Sequence, residues 1–444
     1  MSQIENDHSS VAPQKTIVKS GLKPIYIISA LFFVFGFLTW LNAVLITYLK
    51  LACQLNNLEA FFVAFAFYIA YFFMALPSTL ILKKLGFKNS MAAGLIIIGV
   101  GAAIFIPAAL TRIYLLFLLG LFVQGMGLAI LQSASNPYIT ILGPIESAAR
   151  RISIMGIFNK VAGALGPIIL GAIILKDADK LKINILKMSA VQKDAELTIL
   201  SHKVIMPYVA IIVGMVILAI FIYYSTLPEI DTDNKDEAED KSSSGKTSIF
   251  QFPYLLLGVL TLFLYVGVEV LAGDSVINYA SSIGVPLQTA KFFATCTLSG
   301  MLLGYIVGII CIPRYFSQRS ALKVSAIIGV IFSLVAIFTQ GTVSVFFIAF
   351  LGIANALMWP ALWPLAINGL GKFTKTGSSL LIMGIAGGGL IPLLYGFLAD
   401  KFSLHQAYWV LVPCYLFILY YAVSGYKKGL YTNKKAAALP PDRI

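Results

Sequence analysis

The segment YVGVEVLAGDSVINYA, residues 265–280, sets Glu269 and Asp274 in a stretch that otherwise reads as membrane-crossing helix. An unpaired carboxylate in hydrocarbon costs about 3 kcal/mol or more, so each must be protonated, paired or turned toward a watery cavity. The other acids beside apolar segments, Glu59, Glu146 and Asp400, fall at joints. Counted from a helix start near residue 253, Glu269 lies about 24 Å along and Asp274 close to the far water. Five residues turn a regular helix by about 140°, which speaks against a proton-sharing dyad unless Gly273 breaks the regularity. With the Asn278 amide one turn beyond, the set suits a proton or a sodium ion, the latter wanting several oxygens. Pairing is the alternative: Lys160, about 12 Å into the fifth apolar segment, is the one other ionisable residue expected in the membrane core, and it needs a partner.

A second pattern is polar but uncharged. Gln124, Gln132 and Asn136, with Leu128 between, step by four residues along one helix face and end at Pro137. Asn355, Trp359 and Trp363 form a matching stripe, with Pro360 and Pro364 loosening the backbone beside the indoles. Amides match hydroxyl groups and indole faces match sugar C–H surfaces, so stripes facing one cavity suit a carbohydrate. Taken singly, each amide also fits interhelical hydrogen bonding, and Trp363 also fits an interfacial anchor.

The elements that must carry these residues are membrane helices. Of the 444 residues 59% are hydrophobic and 11% charged, and the mean hydropathy is +0.90. Twelve apolar runs near the length that spans a bilayer fall at 25–49, 58–82, 91–110, 113–140, 152–175, 204–226, 253–280, 288–312, 320–340, 343–370, 376–398 and 404–426. The net charge of +13 is a matter of loops and not of nucleic acid: with the N-terminus inside, 21 lysines and arginines fall on the cytoplasmic side and 10 outside. Both termini are therefore expected in the cytoplasm. The polar start shows no cleavable leader pattern, so the first span is expected to direct insertion.

Four scattered cysteines support neither a zinc site nor a disulfide framework, and the three histidines all lie in the tail or loops. No metal, no cofactor beyond a coupling ion and no catalytic residue is expected, and an intramembrane enzyme lacks its usual base.

The polar stretch TLPEIDTDNKDEAEDKSSSGKTS separates the spans six and six. The expected organisation is a tail at 1–24, a bundle at 25–226 with an outer loop at 176–203, a linker at 227–250, a bundle at 251–426 and a tail at 427–444. The halves repeat at an offset of about 228 residues: IMGI recurs at 154–157 and 382–385, and Asn136-Pro137 aligns with Trp363-Pro364. Two six-helix bundles in the same topology, facing each other across a cavity, are the frame of rocking alternating access, so a transporter leads the functional classes. A monomer suffices for it.

The elements FGFLTWLNAVLI, AFYIAYFFMALP, ILQSASNPY, LGPIESAARRISIMGIFNKVAG and YVGVEVLAGDS resemble the fucose, galactose and glucose proton symporter family of the major facilitator superfamily, closest to its glucose/galactose branch. The resemblance implies an all-α fold of twelve helices in two pseudo-symmetric six-helix bundles. It also implies import of a monosaccharide, of glucose/galactose or N-acetylglucosamine type, across a bacterial inner membrane. It assigns Asn42 and Asn159 to sugar, beside Gln132. Two departures matter: Ala43 stands where fucose permeases carry an aspartate and Gln132 where they carry a glutamate, while Gly156 replaces a glutamine that partners Asn159. By the repeat Asp274 falls near the position of Ala43. Coupling is therefore expected to have moved, wholly or partly, to Glu269, Asp274 and Asn278. An uncoupled uniporter, a drug or metabolite exporter and a transport-deficient sensor are the alternatives.

Overall fold

The computed structural model describes residues 24–141, 148–225, 227, 247–312, 315, 317–370 and 373–429, and these are helical with short connections and no strand. The helices are α1 Pro24–Trp40, α2 Asn42–Ala52, α3 Asn57–Thr111, α4 Tyr114–Ile141, α5 Ala148–Ile174, α6 Ala178–Asn184, α7 Ala190–His202, α8 Ile205–Tyr224, α9 Pro253–Asp274, α10 Val276–Ser282, α11 Leu287–Cys311, α12 Gln318–Phe338, α13 Gly341–Asn355, α14 Met358–Ile367, α15 Thr374–Gly384, α16 Gly387–Lys401 and α17 Leu411–Val423. Eleven helical stretches are long and apolar enough to cross a membrane. One of them, α3, has 55 residues and would be about 80 Å long if straight, which is two crossings. It turns at Gly86, whose φ of 77° a residue with a side chain adopts only under strain. Twelve spans result.

Breaks inside spans are where the sequence forces them. Pro360 lacks an N–H and its ring would strike the carbonyl of Ala356, so the tenth span stops at Asn355 and restarts at Met358. In the seventh span the Ser275 hydroxyl donates to the Leu271 carbonyl at 2.6 Å, a back-bond that bends helices, and α9 gives way there to α10. The first span of the other half is also interrupted, at Leu41.

Within the first half α3 packs on α4 and α8, and α1 on α5; within the second α12 packs on α13 and α17, and α9 on α16 and α17. Between the halves α3 lies against α15 and α16, α5 against α11, and α2 against α10. Glycine permits the closest approach: a Cβ on Gly389 would lie 2.9 Å from the Phe65 Cα. The face bearing the connections at 53–56, 175–204, 283–286 and 402–405 is drawn shut by hydrogen bonds between the halves, among them Lys50 Nζ to Asn278 Oδ1 at 3.3 Å and Lys182 Nζ to Ser281 Oγ at 3.0 Å.

The outer loop at 176–203 holds two helices, α6 and α7. Ser201 Oγ donates to the Ala109 carbonyl at 2.7 Å, so α7 is docked on the bundle. Most of the linker at 227–250 and both outer parts of the tails lie outside the described residues.

Candidate functional site

Glu269 is the hub. Lys160 Nζ on α5 reaches Glu269 Oε1 on α9 at 3.0 Å, an ion pair between the two halves with side-chain exposures of 9% and 10%. The ammonium also lies 4.6 Å from the centre of the Trp40 ring, a cation–π contact at the end of α1. Trp40 fits because residue 273 is glycine: a Cβ there would sit 2.5 Å from the indole Cζ3. Of the two readings of Glu269, pairing is the one this conformation adopts.

Asp274 corrects its expected position. It is wholly buried, and neither carboxyl oxygen has a hydrogen-bond partner. The span does not end there, because α10 continues it to Ser282 and the sealed face closes above. The Tyr68 hydroxyl is also buried without a partner, and its ring meets Val270 of α9 over Gly388.

Asn278 is a second correction. Its Oδ1 accepts from Lys50, and it lines a cavity of about 390 Å³ at the sealed face together with Lys50, Lys182, Ser281 and Ser282. Glu269, Asp274 and Asn278 thus do not assemble one ion site here, since the five-residue step and the break at Ser275 send their side chains to different surroundings. Nor is Lys160 alone in the core, as expected from sequence. Lys291 is 6% exposed, its Nζ bonded to Gln288 Oε1 at 3.0 Å and its stem lying along Gly171.

The uncharged stripes divide. Trp359 and Trp363 stack on each other, ring centres 5.4 Å apart and planes at 23°, and both are half-buried. Tyr265, one turn before Glu269, tilts against Trp359 at 6.5 Å. In the first half Gln132 Nε2 donates to the Tyr71 hydroxyl at 3.0 Å, and Tyr71 stacks on Tyr68. Gln132 also lines a small recess with Phe32, Phe35 and Ser135. Asn159 Nδ2 reaches the Phe32 carbonyl at 3.5 Å. Asn42, on α2 against α9, is buried with both amide atoms unpartnered, a state that asks for a ligand or water.

Gln124 belongs elsewhere. It packs on Gly101, within its own half, because eight residues turn a helix about 80° away from Gln132. Asn355 likewise leaves the tryptophan stripe at the helix break and accepts from the Tyr415 hydroxyl at 2.8 Å. The side chain of Asn136 lies outside the described residues. Sequence reasoning passed over Trp40, Tyr68, Tyr71 and Tyr265. The steps of three and four in Tyr68–Tyr71 and Tyr265–Glu269 carried the signal.

Residues 28–391 match the family model described as Major Facilitator Superfamily. The chain belongs to the major facilitator superfamily. Within this superfamily it is 33% identical over 403 residues to a glucose/galactose transporter of Brucella abortus, covering 90% of this chain and 93% of that one. It is 30% identical over 421 residues to the L-fucose-proton symporter of Escherichia coli, covering 94% and 95%. A crystal structure of the major facilitator FucP in the outward conformation superposes with a TM-score of 0.69 at 29% identity, covering 90% of this chain and 98% of that one. The branch read from the sequence motifs is the one these relatives occupy.

Proposed function

We propose that this major facilitator imports a neutral monosaccharide of glucose or galactose type by alternating access, driven by protons. The single observation that carries the reading is the convergence on Glu269. On one side stand the stacked Trp359 and Trp363 with Tyr265; from the other half Tyr68 meets Val270, the neighbour of Glu269, over Gly388, with Tyr71 and Gln132 behind it. Indole faces take the C–H side of a pyranose, and amide and phenol groups take its hydroxyls. The Lys160–Glu269 pair keeps the centre neutral, which suits an uncharged sugar. The relatives named for glucose, galactose and fucose support the substrate class, and the symporter among them supports a proton.

Asp274 carries the coupling proton in this reading. Ionised, a carboxyl with no partner in a membrane interior would cost several kcal/mol, so in this conformation it holds its proton. The proton is taken up when the bundles rock open on the sealed, external face, and it is released when water reaches Asp274 from the cytoplasmic side. Sodium is disfavoured because Glu269 and Asn278 are engaged elsewhere. The sealed face is external and the termini are cytoplasmic, as the basic residues indicate, and the membrane is the bacterial inner one.

Counterflow of labelled glucose in proteoliposomes preloaded with unlabelled sugar tests the substrate class without any ion gradient. Exchange that glucose, galactose or N-acetylglucosamine sustains supports the reading. Exchange with none of the three, from protein that is folded and monodisperse, removes it.

A further inference from the structure

We propose that Asp179 and Asp400 form a pair of exchanged helix caps, each half of the molecule capping a helix of the other, and that this pair latches the sealed face. The proposal rests on the transport reading only in taking that face as one that must open during a cycle.

The first N–H groups of any helix lack partners within it. In α3 the N-cap Asn56 satisfies the N–H of Glu59 through its own side chain, at 2.7 Å, but not those of Asn57 and Leu58. Those two go to the opposite half: Asn57 N donates to Asp400 Oδ1 at 3.0 Å and Leu58 N to Asp400 Oδ2 at 2.7 Å, with Asn57 Nδ2 adding a third bond at 2.7 Å. Asp400 belongs to α16, in the second half.

The reverse arrangement holds α11. Its N-cap is Pro286, which has no side-chain acceptor, so the start of this helix must borrow one. Asp179 of α6 provides it from the first half: Leu287 N donates to Oδ1 at 2.9 Å and Gln288 N to Oδ2 at 3.5 Å. In both cases the first two helical N–H groups share one foreign carboxylate, and the negative charge sits at the positive end of the helix.

The two contacts correspond by the internal repeat. α3 opens the second span of its half and α11 the second span of the other, while Asp400 closes the fifth span of the second half and Asp179 follows α5, the fifth span of the first. The register is not identical, since Asp400 is still on its helix and Asp179 lies beyond the end of its own. What is kept is the logic, a carboxylate past the fifth span gripping the second span across the interface. Rocking the halves apart on this side breaks both grips at once. The freed N–H groups and carboxylates then meet water, so the latch holds without locking.

Spin labels at Val191→Cys and Phe402→Cys, exposed positions on the sealed face in opposite halves, report the distance across it in a background with the four native cysteines replaced by serine. Double electron–electron resonance without sugar is then read for the parent, Asp179→Ala, Asp400→Ala, the double alanine variant and the two asparagine variants. Each alanine should move the closed-to-open ratio toward open by about five- to tenfold and the double by roughly the product, as loss of a helix cap implies. Asparagine, itself a good cap, should restore most of the closed population. An unchanged distance distribution in the double alanine variant overturns the latch. So does a shift that asparagine reproduces in full, which would mark charge and not capping as the cause. If an alanine variant fails to fold, the asparagine pair decides: parent-like distances support capping and opened ones refute it. Sugar plays no part in this readout, so the latch and the substrate reading can fail separately.

Discussion

Lys160 and Glu269 meet at 3.0 Å from opposite halves of the molecule, each nine-tenths buried and with Trp40 beneath the ammonium. An ion pair so placed is costly to break from one side, because the survivor is a buried charge with no partner, at about 3–5 kcal/mol. Glu269→Gln and Lys160→Met should each lower the melting temperature in detergent markedly. The double variant Lys160→Met/Glu269→Gln should melt higher than either single one. Equal, additive losses would show that the two charges do not depend on each other.

The indole stack gives a binding prediction. Replacing Trp359 by Ala should weaken sugar affinity by about five- to tenfold, as loss of an aromatic contact worth about 1 kcal/mol requires, while Trp359→Phe keeps most of it. Quenching of intrinsic fluorescence by titrated glucose, or competition in counterflow, measures this. Unaltered affinity in the alanine variant would place the sugar away from Trp359.

The two glutamines of α4 should behave differently although four-residue steps connect them. Gln132→Leu should abolish or strongly reduce counterflow if Gln132, bonded to the Tyr71 hydroxyl, is a hydroxyl partner of the sugar as proposed. Gln124→Leu should leave counterflow near the parent level and leave stability unchanged or raised, since its buried amide nitrogen has no hydrogen-bond partner to lose. A thermal melt read beside the counterflow rate separates the two effects.

Gly273 offers a steric test. Even Ala would bring a Cβ to 2.5 Å from the Trp40 ring, so Gly273→Ala should push the indole off the Lys160 ammonium and slow exchange. Adding Trp40→Phe, a smaller ring, should recover part of the rate. No recovery would mean that residue 273 acts through the helix backbone and not through Trp40.

These contrasts also show what was legible beforehand. Span number, the repeat and the two odd carboxylates stood out because hydropathy and charge are one-dimensional signals. That Lys160 and Glu269 could satisfy each other was also readable, as each was an ionisable group in need of a partner. The divergence of Gln124 from Gln132 was not, because whether an 80° drift matters depends on which helix stands alongside. Asp274 was misplaced for a similar reason: distance along a helix says nothing of a continuation such as α10 or of loops that close over it. The exchange of caps by Asp179 and Asp400 could not be read at all, since both look like ordinary joint residues until the halves are packed.

The proton at Asp274 is the centre of the proposed coupling. The measurement is uptake of labelled glucose into proteoliposomes under an imposed proton gradient, acidic outside, under an imposed sodium gradient and under neither, for the parent and Asp274→Asn. With the proton gradient alone the parent should accumulate glucose above equilibrium, and the Asp274→Asn protein should still exchange sugar by counterflow but no longer accumulate it. Accumulation driven by sodium, or an Asp274→Asn protein that concentrates glucose as the parent does, would contradict the proposed coupling.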